Sequence, residues 1–229
     1  MSLRIATYNI RGGLGMDDVR SLPRIAEVLH TLEADIVCLQ EVHQNLPWSG
    51  LANQPRRLKH LLGSEVVFQR NLSLWFGGFG NAIVTKAPVL HVKRHALPGG
   101  REPRGCLEVR LQTNLGELKV LSTHLGLSDG ERRRQVMRLA EIVNADRTPV
   151  VLCGDFNEGP DAGNLQFLLE QTGLRDAGVG GDFTYSSDAP RARIDFVLLS
   201  ETLSEDGLWV APSIASDHYP VISNIKLRS

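Results

Sequence analysis

A strand-length apolar run that stops on paired polar residues constrains this chain more than any other feature. Val150-Val151-Leu152-Cys153-Gly154 is apolar or small throughout, the pattern of a strand buried on both faces, and Asp155-Phe156-Asn157-Glu158-Gly159-Pro160 follows at once. In an extended chain, residues two apart share a side. Asp155 and Asn157 are therefore expected to face one ligand while Phe156 returns to the core. The alternative is an Asx-type turn, in which both side chains serve only the loop backbone.

The same pattern recurs along the chain. Arg4 to Ile10 reads as a strand with Asn9 at its end, broken by Gly12-Gly13, and Ala34 to Glu41 is an apolar run that finishes on an acid. The strand from Leu118 runs into Ser122-Thr123-His124. Asp195 flanks Phe196 to Leu199, and Ser216-Asp217-His218 precedes a last strand, Val221 to Leu227. Taken singly, Glu41 reads as an exposed loop acid and His124 as a hydrogen-bonded structural histidine. Between them Glu65 to Gln69, Asn81 to Thr85, Val89 to His95, Cys106 to Gln112 and Glu117 to Ser122 look like neighbouring antiparallel strands.

Three helices are expected. The first starts at Ser21 and Pro23 with Ile25, Val28, Leu29 and Leu32 on one face. The second follows the capping-box spacing Ser128 to Glu131 and buries Val136, Leu139, Ala140 and Val143. The third runs from Asn164 to Thr172 and ends at Gly173. Arg132, Arg133 and Arg134 read as a solvated face rather than a phosphate site, because cations oppose the dipole at a helix start. Trp48 to Lys59, with Pro47, Pro55, Arg56 and Arg57, reads as irregular and without an assignable role.

At 229 residues the chain suits one domain spanning 1–229, and Lys+Arg 25 against Asp+Glu 26 gives no global basic field to attract long nucleic acid. Cys38, Cys106 and Cys153 all lie in apolar runs, which suits free thiols in a reducing compartment. Neither a signal-peptide pattern nor a bilayer-length apolar run is present, so no transmembrane segment and a cytoplasmic location are expected. No protein partner can be inferred.

Asn9, Glu41, His124, Asp155, Asn157, Asp195, Asp217 and His218 all flank hydrophobic strands, and that many polar groups near a core without a task would be costly. A shared site accounts for them together. With these residues in view, the chain resembles the endonuclease/exonuclease/phosphatase family, from TYNIRGG through CLQEV, GNAIVTK, STHLGLS, GDFNEGP and RIDFVLLS to SDHYPV. The phrasing is most similar to compact bacterial stand-alone members. The resemblance implies a DNase I-like four-layer α/β sandwich, with two mixed sheets face to face and helices outside.

It further implies Glu41 as the principal ligand of Mg2+, with Mn2+ as the alternative ion, Asn9 beside the metal or the phosphate, and Asp217 closing the metal site. Asp155 and Asn157 would orient the attacking water and bind a phosphate oxygen, Asp195 would orient His218, and His124 would reach the scissile phosphate. Oxygen ligands such as Glu41 suit a hard cation. Asp155 is the first choice for polarising the water, with the Asp195-His218 pair as rival. Arg11 stands where the abasic-endonuclease branch carries an acid, which argues against a second metal there. Arg104, with Arg101, is a candidate phosphate contact, although pairing with Glu102 is an equal reading.

The expected activity is Mg-dependent hydrolysis of a phosphodiester by in-line attack of water, on a small-molecule, lipid-derived or nucleic-acid substrate. The alternatives are a phosphomonoesterase acting on an inositol- or lipid-type phosphate and a DNA or RNA nuclease. A scaffold without catalysis is disfavoured, because each matched position carries an apt residue.

Overall fold

The computed structural model describes residues 1–74, 76–178 and 181–228. One sheet is ordered β11 (Leu203–Val210), β12 (Val221–Leu227), β1 (Leu3–Asn9), β2 (Ile36–Gln44), β4 (Gly77–Thr85), β3 (Glu65–Leu74). The other is ordered β5 (Val89–Leu97), β6 (Arg104–Thr113), β7 (Gly116–His124), β8 (Val150–Asp155), β10 (Asp195–Leu199), β9 (Arg175–Asp176). Each sheet has one parallel pair, β1 with β2 and β7 with β8, and its other pairings are antiparallel.

The two-residue period explains the layering. In β1, Leu3 and Ile5 turn to the space between the sheets, where they meet Val109, Val120, Val151, Cys153 and Val197 of the second sheet. Ala6 and Tyr8 turn the other way, onto α1 (Leu22–Leu32) and α2 (Gln54–Leu62). The outer face of the second sheet, with Leu121, Leu152 and Phe196, is covered by α3 (Asp129–Val143) and α4 (Gly163–Thr172). The result is the four-layer sandwich expected from the strand runs. Each Leu or Ile closed into these three cores contributes roughly 2 kcal/mol, so the layers hold without disulfides, and all three cysteines are buried and free.

Ser21 caps α1, accepting a hydrogen bond from Arg24 N at 3.3 Å, and Pro23 lies in its first turn, as the sequence signals. The capping box of α3 forms differently. The Ser128 hydroxyl makes no bond to the helix backbone and instead donates to Glu131 Oε2 at 3.1 Å, while Oε1 of that carboxylate takes the Gly100 amide. The irregular reading of 48–59 is corrected: after a short 3-10 turn at Pro47–Ser49, Asn53 caps α2 and Pro55 opens it. Strand β11 was not signalled by periodicity, since its polar residues belong to a sheet edge.

Candidate active site

The two parallel pairs set the site. They bring the C-terminal ends of β1, β2, β7 and β8 to one edge of the sandwich, where ligands of α/β sheets gather. Asn9, His124 and Asp155 are the last residues of their strands, and His124 stands in register with Asp155. Asp195, the first residue of the antiparallel strand β10, is also in register with Asp155. Gly154 permits the close approach, since a Cβ there would lie 2.1 Å from the Thr123 carbonyl oxygen. Glu41 arrives by another route. The register of β2 against β4 slips between Leu39 and Val42, and Glu41 takes a left-handed φ of 54°. This bulge lifts its carboxylate out of the strand alternation and aims it into the cleft.

The groups converge on Oδ2 of Asp155. Asn9 Nδ2 donates to it at 3.1 Å, His124 Nε2 lies at 3.4 Å and His218 Nε2 at 3.6 Å. Asn9 Nδ2 also donates to Glu41 Oε1 at 3.0 Å, while its own Oδ1 accepts the Arg11 amide at 3.0 Å. One amide thus spans the two acids. His218 Nδ1 is 2.8 Å from Asp195 Oδ2, the same oxygen that accepts the Thr184 hydroxyl at 2.6 Å. Ser216 donates to the Asn9 carbonyl at 2.7 Å, tying the SDH segment to β1, and Asp217 meets Arg11 Nε at 3.5 Å.

Electrostatics separates the two histidines. Burial alone would lower the pKa of His218, but Asp195, through its charge and its hydrogen bond, with Asp155 and Asp217 behind it, raises it to about 10. Burial pushes His124 well below the ordinary imidazole value, and the charges of Arg104 and His218 act in the same direction. One ring is therefore an imidazolium at neutral pH and the other a neutral imidazole. Burial and the Asp195 charge raise Asp155, against the pull of His218. Burial also raises Glu41, opposed by its Asn9 hydrogen bond and reinforced by Asp217.

This donor set fits a hard divalent cation. Glu41, Asp155 and Asp217 line one cleft, and the raised pKa values of Glu41 and Asp155 mark charge that lacks a full complement of partners. Among the described residues, Asp155, Asp195 and His218 also present ligand-type atoms within 4.8 Å of one another. An imidazolium has no free lone pair, however, so the oxygen-rich Glu41 side suits a cation better.

Glu41, Arg104, His124, Asp155, Asn157, Asp217 and His218 line this cleft, which encloses about 370 Å³, and Asn9 and Asp195 bond to Asp155 and His218 from beneath it; Arg101 is not among its lining residues. Asn157 gets there differently from expectation. It leaves the strand through a left-handed φ of 52°, and its N–H donates to Asp155 Oδ1 at 2.9 Å. The Asx turn is real, yet Oδ2 of Asp155 and the Asn157 side chain both still face the cleft; Asn157 Nδ2 is anchored on the Leu125 carbonyl at 2.9 Å. Arg104 is buried and pairs with Glu102 at 2.7 Å, while its Nε has no partner.

The reading of Arg132 as a solvated residue is corrected. It is largely buried, bonds the Glu158 carboxylate at 2.7 Å and donates to the Leu127 carbonyl at 2.7 Å, which braces both loops that carry His124 and Asp155. Arg133 lies over the Phe167 ring. Sequence reasoning missed Thr184, Tyr185, whose ring packs 4.9 Å from that of His218, and His43, which lines the cleft. Only for His43 was there a signal. It follows Glu41 by two residues, and Gly12 is needed because a Cβ there would meet the His43 ring at 2.2 Å.

Residues 6–218 match the family model described as Endonuclease/Exonuclease/phosphatase family. The uncharacterized protein YbhP of Escherichia coli (strain K12) is 33% identical over 187 residues, covering 76% of this chain and 73% of its own length. A solved endonuclease/exonuclease/phosphatase from Beutenbergia cavernae DSM 12333 superposes with a TM-score of 0.87 at 26% identity, covering 99% of this chain and 72% of that one. The mannosyl-6-phosphatase Bt3783 of Bacteroides thetaiotaomicron VPI-5482 shares the fold, with a TM-score of 0.77 at 19% identity over 97% of this chain and 99% of that one.

Proposed function

The chain belongs to the endonuclease/exonuclease/phosphatase family of phosphoesterases, and from that premise we propose that it hydrolyses a phosphodiester by in-line attack of water in a magnesium-dependent reaction. The observation that carries this reading is the convergence of Asn9, His124 and His218 nitrogens on one Asp155 oxygen, with Glu41 one hydrogen bond away. A divalent cation, Mg2+ or Mn2+, held by Glu41 with Asp217 and Asn9, would neutralise phosphate charge and steady the leaving oxygen.

The chain's own residues do the rest. Asp155, with its raised pKa, accepts the proton of the attacking water more readily than an ordinary carboxylate. His218 is held protonated by Asp195, which disqualifies it as the base at neutral pH and makes it a donor to the phosphoryl oxygens as charge grows there. Neutral His124 and the Asn157 side chain supply further polar contacts to the phosphate. Asn9 sets the spacing of Glu41 and Asp155 while its own oxygen is engaged by Arg11.

A diester is favoured over a monoester by the walls of the cleft. Trp48 and Phe79 line it, as do Leu127 and Tyr185, giving apolar surface for substituents on the phosphate. Arg104, the one cation of the lining besides histidine, is already paired with Glu102, so an extra phosphate charge has little to meet. The buried free cysteines fit a reducing cytoplasm, and no helix among the described residues is long and apolar enough to cross a membrane.

Purified protein with Mg2+ should turn over bis-p-nitrophenyl phosphate in preference to p-nitrophenyl phosphate. EDTA should abolish the activity and added metal restore it. Asp155→Ala and His218→Ala should each lower kcat by about a thousandfold while leaving the fold intact. The reverse substrate preference, or full activity in either variant, would overturn the assignment.

A further inference from the structure

The turn after β2, which carries Trp48, has a second cavity on its far side. Trp48 is 53% exposed, yet the turn that presents it is fixed, with Gly50 N donating to the Pro47 carbonyl at 3.0 Å and Ser49 Oγ to the Leu46 carbonyl at 3.1 Å. The indole lines both the reaction cleft and a neighbouring hollow of about 390 Å³. Arg20 and Arg57 line that hollow, together with Ser21 and Leu22 at the start of α1 and Gln54 at the start of α2.

The charges of this hollow are one-sided. Neither helix has an acidic residue in its first turn. Arg20 donates only to the Gly12 and Arg11 carbonyls, at 2.6 and 3.2 Å, and burial together with the like charge of Arg11 lowers its pKa. Among the described residues, neither Arg20 nor Arg57 forms an ion pair, although nine other arginines do. Arg57 also stands in the first turn of α2, where a cation opposes the helix dipole. A residue that breaks a local rule with no folding compensation is a candidate for ligand contact.

We propose that Arg20 and Arg57 form a second phosphate subsite, separated from the reaction centre by Trp48. The substrate then carries a phosphate beyond the scissile one, joined to it through a short spacer that is apolar or bears a flat ring to lie on the indole. This rests on the phosphodiesterase reading and narrows it, because a diester with a single phosphate leaves both arginines without an anionic partner. Two guanidiniums with helix N-termini behind them suit a phosphate, and an exposed indole suits a ring.

The experiment compares thymidine 5′-(p-nitrophenyl phosphate) with and without a 3′-phosphate. The 3′-phosphate should lower KM about tenfold in the wild type. Arg57→Ala should remove that advantage while leaving the unphosphorylated substrate unaffected; Arg57 is exposed and makes no side-chain bond, so its loss spares the fold. Trp48→Ala should raise KM for both substrates. Repeating the pair with a hexanediol spacer separates stacking on a ring from mere length. Equal KM values for the two wild-type substrates, or an equal loss on both in Arg57→Ala, would overturn the subsite. If no diester is turned over, the function proposed above fails by itself. The subsite is then decided by calorimetry: it stands if thymidine 3′,5′-bisphosphate binds more tightly than the 5′-monophosphate and Arg57→Ala erases the difference, and falls if the two bind alike.

Discussion

Replacing Asp195 by Asn keeps the shape of the His218 anchor and removes its charge. Both side chains are almost fully buried, and the oxygen that meets His218 Nδ1 at 2.8 Å is also bonded by Thr184, so an amide can hold the ring in place. The rise of His218 from 6.5 to about 10 corresponds to roughly 5 kcal/mol in favour of the imidazolium. Asp195 is the leading attractive contributor, ahead of Asp155 and Asp217, and all three work against desolvation. If Asp195 supplies half or more of that preference, its loss brings the His218 pKa down by about two to three units. The alkaline limb of kcat/KM, set in the wild type by loss of the imidazolium proton as pH rises through about 10, should then move to near neutrality. At pH 8 the variant should lose between about twofold and about tenfold in rate and recover part of it on acidification. The acid limb should move the same way, because Asp155 is freed from the Asp195 charge that raises it. The assay is a pH profile of bis-p-nitrophenyl phosphate turnover at saturating Mg2+, with thermal unfolding followed at each pH. An alkaline limb that stays in place in Asp195→Asn would refute the reasoning.

Lys119 is fully buried with Nζ on the carbonyls of Ile142 and Val143, at 3.3 and 3.1 Å, and on Asp146 at 3.3 Å, so it closes the end of α3. Lys119→Met should destabilise the protein by about 3 kcal/mol, read as a lower urea midpoint, with kcat unchanged. Burial and the Arg20 charge depress His43 to about 4, below its unfolded value of 6.5. A depressed histidine stabilises the fold above its unfolded pKa, so up to about 3 kcal/mol should be lost as pH falls from 6.5 to 4. His43→Gln should flatten that part of the urea-midpoint profile, and an unchanged slope would contradict the assignment. Glu41→Gln should raise the metal-free melting temperature by about 2 to 4 °C, because it removes a buried like charge facing Asp217. The same change should abolish both activity and any thermal stabilisation by Mg2+.

Strand positions were legible because their signal is local. An apolar run such as Val150 to Cys153 is buried on both faces in the structure, as its composition implies. The gathering of Asn9, Glu41, His124, Asp155 and Asp195 was also legible, since each ends or begins such a run and the layers leave few places for those ends to go. What stayed hidden depends on distant partners or on backbone turns. Helix α2 escaped notice because Leu58 is its one fully buried large side chain, set among Arg56, Arg57, Lys59 and His60. Arg132 read as solvated because its partner Glu158 is remote in sequence and meets it only after folding. Asn157 was placed correctly for an incorrect reason, since a left-handed turn rather than strand alternation delivers it.

The positions that defied strand periodicity share a property. Arg11, Glu41 and Asn157 all hold left-handed φ values, 46°, 54° and 52°, without being glycine, and all three stand around the cleft. Such conformations cost roughly 1 kcal/mol or more each, and the protein adds two carboxylates, Glu41 and Asp155, whose pKa values are raised by burial and by a neighbouring acid. A sandwich with three well-filled cores can sustain both penalties at one edge. The strain fixes side chains where regular strands could not aim them, and the crowded acids leave a strong demand for positive charge. A site arranged in this way has little left to rearrange when a cation and a phosphate arrive, so binding energy can go into the transition state rather than into ordering the protein.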